Sequence, residues 1–244
     1  EGHRISLTRS SFFFSNRLTH RLSKKYGLQS NFLALTADQP AEKIQYGNSF
    51  LLPAINRVLE EVVPNYRYTN LPELNAILRQ YNVEASRGKE HTLTYRNKGL
   101  HYHPLKADGT PAYEYVPARL FPSKPTLENL EKRFAENQSL RNTHRERLAT
   151  LVGYTLAGSG LSLEGLKQAL AKKQVTLFVR PGKEPGAEQL WFIDLQNKTV
   201  FEGAKLGKDY SFTSVQKQLI SEEAYQKQQE TQRQNQHQRY RHSF

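Results

Sequence analysis

The chain has 244 residues, enough for one large domain or two small ones, and carries 35 Lys and Arg against 23 Asp and Glu, a formal net charge of +12. It contains no cysteine, which excludes disulfides and thiolate metal sites, and no run of about 18 apolar residues, which excludes a membrane-spanning helix. The positive balance suits an acidic partner, most often nucleic acid; a merely soluble basic protein is the plainer alternative.

In chain order, residues 1–29 carry six cations, Arg4, Arg9, Arg17, Arg21, Lys24 and Lys25, and one acid. Ile5 and Leu7 alternate with polar residues, as in a strand. From Ser15 or Asn16 the spacing turns helical, with Leu18 and Leu22 on one face and Gly27 as a C-cap after Tyr26. The cations are either a solvated helix face or a surface for phosphates. No apolar stretch of a secretory leader follows the polar start. The chain has no methionine, and Glu1-Gly2-His3-Arg4-Ile5 reads as the turn and second strand of a hairpin, so a fragment or processed chain is expected.

Residues 41–64 show a helical stripe of Leu52, Ile55, Leu59 and Val62, with Pro53 in a first turn or at a kink and Pro64 at the end. The connection that follows, PNYRYTN, is too long and aromatic for the tight turn of a helix-turn-helix. The helix is expected to pack on the next one.

The stretch that comes next occurs twice. LPELNAILRQYNV at 71–83 matches LEGLKQALAKKQV at 163–175 without a gap. LHYHPL at 100–105 falls on LWFIDL at 190–195, and YVPARL at 115–120 on FEGAKL at 201–206. Each copy reads as a helix followed by short strands. Asn70 and Ser162 are natural N-caps, because their side-chain oxygens accept orphan amide hydrogens, and Glu73 completes a capping box with Asn70. One helix over a small sheet buries one face of each.

Residues 87–97 read as a polar loop of mixed charge, and 122–125 as a boundary. Residues 127–151 read as one polar helix, apolar at Leu127, Leu130 and Phe134. It is a spacer or bridge, or else its Arg141, Arg145 and Arg147 form a row facing DNA. Residues 153–160 read as a flexible joint, and PGKEPG at 181–186 as a surface turn. From Ser214 the core fades, and beyond Ser221 there are seven glutamines and almost no aliphatic residues, which predicts a frayed helix or disordered tail. There, Arg239, Tyr240 and Arg241 could touch a single strand by charge and stacking.

His101-Tyr102-His103 would place two imidazoles on one strand face, where both could reach a metal. The repeat puts Trp191 and Ile193 at these positions, and no third ligand comes with them, so two half-exposed strand residues are the plainer reading. No P-loop, G-x-S-x-G or H-E-x-x-H motif is present.

EGHRISLTRSSFFFSNRLTHRLSKKYGL at 1–28 resembles the segment that follows the histidine motif in DNA relaxases of the MobA/VirD2-like mobilisation family, those of Bacteroidetes mobile elements above all. YRYTNLPELNAILRQYNV, KGLHYHPLKADGTPAYEYVPARLF and LWFIDLQNKTVFEGAKLGKDYS are similar to later parts of the same proteins, in the same order. The resemblance implies a site-specific DNA nickase and strand transferase acting at a transfer origin during conjugative mobilisation. It implies a tyrosine nucleophile and a histidine cluster that binds Mg or Mn, both upstream of Glu1, so no catalytic residue and no metal ligand is assigned to this chain.

The expected fold class is α+β: the C-terminal edge of an HUH-type relaxase domain, two related helix-plus-hairpin modules, and a helical or disordered basic tail. The divisions are 1–40, 41–125 with the first module, a link at 126–160, the second module at 161–220, and a tail at 221–244. The expected partner is single-stranded or nicked origin DNA, held by Arg4, Arg9, Arg17, Arg21, Lys24 and Lys25. A relaxosome accessory or coupling protein is the alternative partner. No membrane insertion is expected, and the implied place is the bacterial cytoplasm.

Overall fold

The structure is a computed structural model that describes residues 41–47, 51–158, 160–182, 188–221 and 223–231. Arg4, Arg9, Arg17, Arg21, Lys24 and Lys25, with the strand and helix expected around them, lie outside these residues, as do Arg239, Tyr240 and Arg241. The described residues are α+β, with two three-stranded antiparallel sheets.

Helix α1 (Leu51–Asn65) buries Ile55, Val58, Leu59 and Val62, and Pro53 sits in its first turn. Residues 41–47 are not helical, against expectation. The Ile44 amide donates to the Tyr81 carbonyl (3.0 Å), and the Ile44 carbonyl accepts from Asn82 Nδ2 (2.9 Å). Both polar backbone groups are thus committed to the first module instead of to a helix.

The duplication is real in three dimensions. Helix α2 (Leu71–Leu78), a 3-10 turn (Arg79–Tyr81) and strands β1 (Val83–Ser86), β2 (His101–Pro104) and β3 (Val116–Pro117) form the first module. A short helix, α3 (Leu93–Arg96), lies inside the loop between β1 and β2. Helix α6 (Leu163–Ala171) with β4 (Val175–Arg180), β5 (Gln189–Asp194) and β6 (Thr199–Glu202) forms the second. Asn70 accepts from the Glu73 amide (2.9 Å) and Ser162 from the Gly165 amide (3.0 Å), as the two N-caps require. Both helices leave through a left-handed residue, Asn82 (φ 58°) and Gln174 (φ 60°), whose carbonyls accept from Leu105 and Leu195 at the ends of the second strands. Of the described part of the expected 181–186 turn, Pro181 and Gly182 are exposed.

Two details depart from the alignment. Glu73 does not close its box on Asn70; its Oε2 accepts from the Thr69 amide (2.6 Å) and hydroxyl (2.9 Å). The third segment is also shifted by one residue. Tyr102 pairs with Val116 and Phe192 with Phe201, so Phe201 matches Val116 and not Tyr115. A slip of one residue exchanges the two faces of a strand, and buried Val116 fixes which register holds.

The modules stack head to tail. Helix α2 touches β1 of its own sheet and β5 and β6 of the second. Trp191, Ile193 and Val200 therefore belong to the same core as Val83, Tyr102 and Ile77. The opposite face of the second sheet, with Val175, Leu177, Phe192 and Phe201, packs on Leu166 and Leu170 of α6. The linking sequence PNYRYTN adds to the join: Arg67 makes a parallel bridge to Thr199, its amide donating to the Lys198 carbonyl (2.7 Å), while Tyr66 and Tyr68 are buried on either side.

Residues 127–151 are not one helix. They divide between α4 (Leu127–Asn142) and α5 (Arg145–Ala157), broken at Thr143 and His144, where His144 Nε2 lies 2.7 Å from Arg67 Nη1. Leu127 and Leu130 join the first core, and Leu148 and Val152 the second, so the pair does bridge the modules. The expected joint at 153–160 is helical to Ala157. Gly153 is a contact point there: a Cβ would meet the Tyr210 hydroxyl at 2.9 Å.

After β6 come α7 (Gly203–Leu206), a 3-10 turn (Lys208–Tyr210) and α8 (Phe212–Gln218). The core persists beyond Ser214, because Val215 is buried in it. Residues 223–231 are helical, and Tyr225 lies so close to Gly165 that a Cβ there would meet its ring at 2.6 Å. Gln228 of the same helix lies equally close to Gly160.

Candidate nucleic-acid interface

The three arginines do not form one outward-facing row: Arg141 is buried, whereas Arg145 and Arg147 are exposed but hydrogen-bonded to the second module. Arg141 is buried and its Nη1 lies 2.6 Å from Glu73 Oε2 and 3.2 Å from the Val200 carbonyl, with its guanidinium over the Phe201 ring. Arg145 donates to the carbonyls of Lys205 (3.0 Å) and Leu206 (3.4 Å). Arg147 donates to Asp194 (2.9 Å) and Gln196 (2.6 Å). Arg141 thus joins Glu73 of the first module to the Val200 carbonyl of the second, while Arg145 and Arg147, past the helix break, bond to groups of the second module alone. A buried carboxylate such as Glu73 needs a cation and hydrogen bonds to persist, and Arg141 supplies both.

Lys198 joins the modules in a second polar cluster. Its Nζ is 3.5 Å from both Glu61 Oε1 and the Tyr66 hydroxyl. Burial raises the phenol pKa of Tyr66 and of neighbouring Tyr81. A tyrosine nucleophile needs the opposite shift, toward phenolate, so this cluster reads as a structural seam.

The first sheet has one buried and one half-buried face. Val83, Ala85, Tyr102 and Val116 face α1 and α2, and the buried Tyr102 hydroxyl donates to the Pro125 carbonyl (2.8 Å). The alternate residues, Glu84, Ser86, His101 and His103, are half-buried on the other side. There His101 stacks on Tyr115, with ring centroids 4.2 Å apart and planes 15° from parallel. His103 meets the same tyrosine at 5.5 Å, and its Nδ1 lies 3.0 Å from the Ala112 carbonyl. Burial, with His103 and Arg119 near, holds the His101 imidazole below the ordinary histidine value of 6.5. Near pH 7 it is mainly a neutral ring.

The relaxase resemblance implies a metal held by histidines upstream, not by this pair. Among the described residues no group of three or more His, Cys, Asp or Glu is placed to hold an ion. The third neighbour of the pair is a tyrosine ring instead of a ligand.

At the His101 end of the sheet, the loop between β1 and β2 carries Arg87, Lys89, Arg96 and Lys98 against Glu90. Arg87 lies over the Tyr95 ring, 4.1 Å from its centroid. The sequence reading took this loop only as mixed in charge. The interleaving of cations and rings in RGKEHTLTYRNKGLHYH was the available signal.

No helix among the described residues is long and apolar enough to cross a membrane. Comparison of the chain with protein-family models, with curated proteins and with solved structures gave no match in any of the three.

Proposed function

We propose that this chain is the DNA-binding portion of a mobile-element relaxase, one that holds single-stranded or nicked DNA near the transfer origin during conjugative mobilisation. The observation that supports this is how the positive charge is spent. Arg141 is spent inside the fold, and Arg145 and Arg147 are tied by hydrogen bonds to the second module. Most of the surplus lies at the two ends: residues 1–40 carry six Lys and Arg against two acids, and residues 232–244 carry three against none. Phosphate contact is assigned to Arg4, Arg9, Arg17, Arg21, Lys24 and Lys25, and strand transfer to the tyrosine and metal-binding histidines expected upstream.

Fluorescence anisotropy with a labelled single-stranded oligonucleotide at rising salt tests this. Each phosphate neutralised contributes about 0.7 to the slope of log affinity against log salt. Reversing Arg17, Arg21, Lys24 and Lys25 to Glu is expected to flatten that slope by about three and to weaken binding at low salt. Unchanged binding would leave the second reading, a protein-interaction module of a relaxosome.

A further inference from the structure

The duplication supplies an internal control for the loops. The connection between the first two strands runs over residues 87–100 in the first module and 181–188 in the second, since Ser86 pairs with His101 and Arg180 with Gln189. In the second module it holds Lys183 against Glu184 and Glu188. In the first it is longer and holds Arg87, Lys89, Arg96 and Lys98 against Glu90. Arg119 adds a cation where the chain returns to this end of the sheet, because the Ala118 amide beside it donates to the Leu100 carbonyl (2.9 Å). The fold does not use these charges. Lys89, Arg96, Lys98 and Arg119 are exposed, and none of them joins an ion pair among the described residues. The loop that carries them is closed by its own backbone. The amides of Thr92, Asn97 and Gly99 donate to the carbonyls of Lys89 (2.9 Å), Leu93 (2.9 Å) and Thr94 (2.7 Å). A Cβ on Gly99 would meet Thr94 Cγ2 at 2.9 Å, so the exit of the loop lies against its middle. Like charges on one closed loop repel each other, and a polyanion relieves that.

We propose that this loop, together with Arg119, is a second phosphate-contact surface for single-stranded DNA, where Lys89, Arg96, Lys98 and Arg119 meet the backbone. The proposal rests on the DNA-binding reading above and adds contacts to those of the basic segment. Cations at four separate positions suit a ligand whose charges repeat along a chain. The carboxylates close by are engaged: Glu84 is paired with Arg79, and Glu114 accepts from the Tyr46 hydroxyl (3.0 Å). A loop already closed by its own hydrogen bonds gives up little freedom on binding. Phosphate contacts fix where a strand runs and do not read its sequence, so the loop would position the DNA for chemistry done elsewhere.

The test uses the full chain and a labelled oligothymidylate, with anisotropy read at rising salt. Changing Lys89, Arg96, Lys98 and Arg119 together to Gln is expected to weaken binding at low salt. It should also flatten the slope of log affinity against log salt by about three, at about 0.7 for each phosphate contact. A matched variant with Lys172, Lys208, Lys217 and Lys227 changed to Gln loses the same charge from other exposed positions and should keep the wild-type slope. If wild type binds and the loop variant keeps its slope, or the matched variant loses as much, the loop contact is refuted and the DNA-binding reading stands. If wild type does not bind at all, both fail. A second measurement needs no variant, should the fourfold change fail to fold. Lysine acetylation read by mass spectrometry should show Lys89 and Lys98 protected by bound oligothymidylate while Lys172 stays reactive. Equal reactivity of Lys89 and Lys98 with and without DNA would overturn the proposal.

Discussion

Arg141 shows how far a single residue is legible. As a sequence it stands with Arg145 and Arg147 in a polar stretch, and a row facing DNA is one natural reading. Its actual partner is Glu73, whose side chain is fully buried. Nothing local joins two residues so distant in sequence, whereas the caps at Asn70 and Ser162, each completed three residues later, could be read directly. Arg141→Met is expected to cost about 3 kcal/mol or more in urea denaturation, because it removes the nearest cation from a buried carboxylate. Lys205, 3.4 Å away, remains as a weaker partner. Adding Glu73→Gln should recover part of the loss. DNA affinity per folded molecule should not change; a fall in affinity at full stability would return Arg141 to the DNA surface.

At the scale of elements, the repeat was legible because identical backbone tasks recur at matching positions. Both helices end in a left-handed residue that hands the chain to a strand. The two residues differ in fitness for the task. Asn tolerates that conformation, and the Asn82 amide also holds the Ile44 carbonyl. Gln174 is exposed and has no such compensation among its described hydrogen bonds. Gln174→Gly is expected to stabilise the chain by ~0.5–1 kcal/mol, and Asn82→Gly to destabilise it, both read from thermal denaturation. The helix break at His144 was not legible. It is set by Arg67 and by carbonyls of the second module, none of which lies near it in sequence. The one-residue slip of the third segment escaped for another reason: a strand of two residues has too little alternation to fix its own register.

The whole molecule differs most from its sequence reading. Each helix was expected to cover one face of its own sheet, but the second sheet is packed on both faces, and one of those faces completes the first core. The signal was present. LWFI is apolar at every position, the mark of a strand covered on both sides, while LHYH alternates, the mark of one covered on a single side. The described residues should therefore unfold in one cooperative transition. Trp191→Ala, in the shared core, is expected to cost about 3–5 kcal/mol and to lower the whole transition instead of splitting it. Trp191→Phe should cost less, because the indole Nε1 is buried with no hydrogen-bond partner among the described residues. Calorimetry that resolved two separate transitions would contradict the shared core.

The stacking of sheet on helix also has a direction. Its two sides are different surfaces, the kind of contact that, repeated, grows as a filament, but α6 at one end is already met by α5 and Tyr225. Whatever else they do, His101, His103 and Tyr115 stand where a third layer would have to begin. Polar-edged rings there do not offer the apolar face on which the first module receives the second.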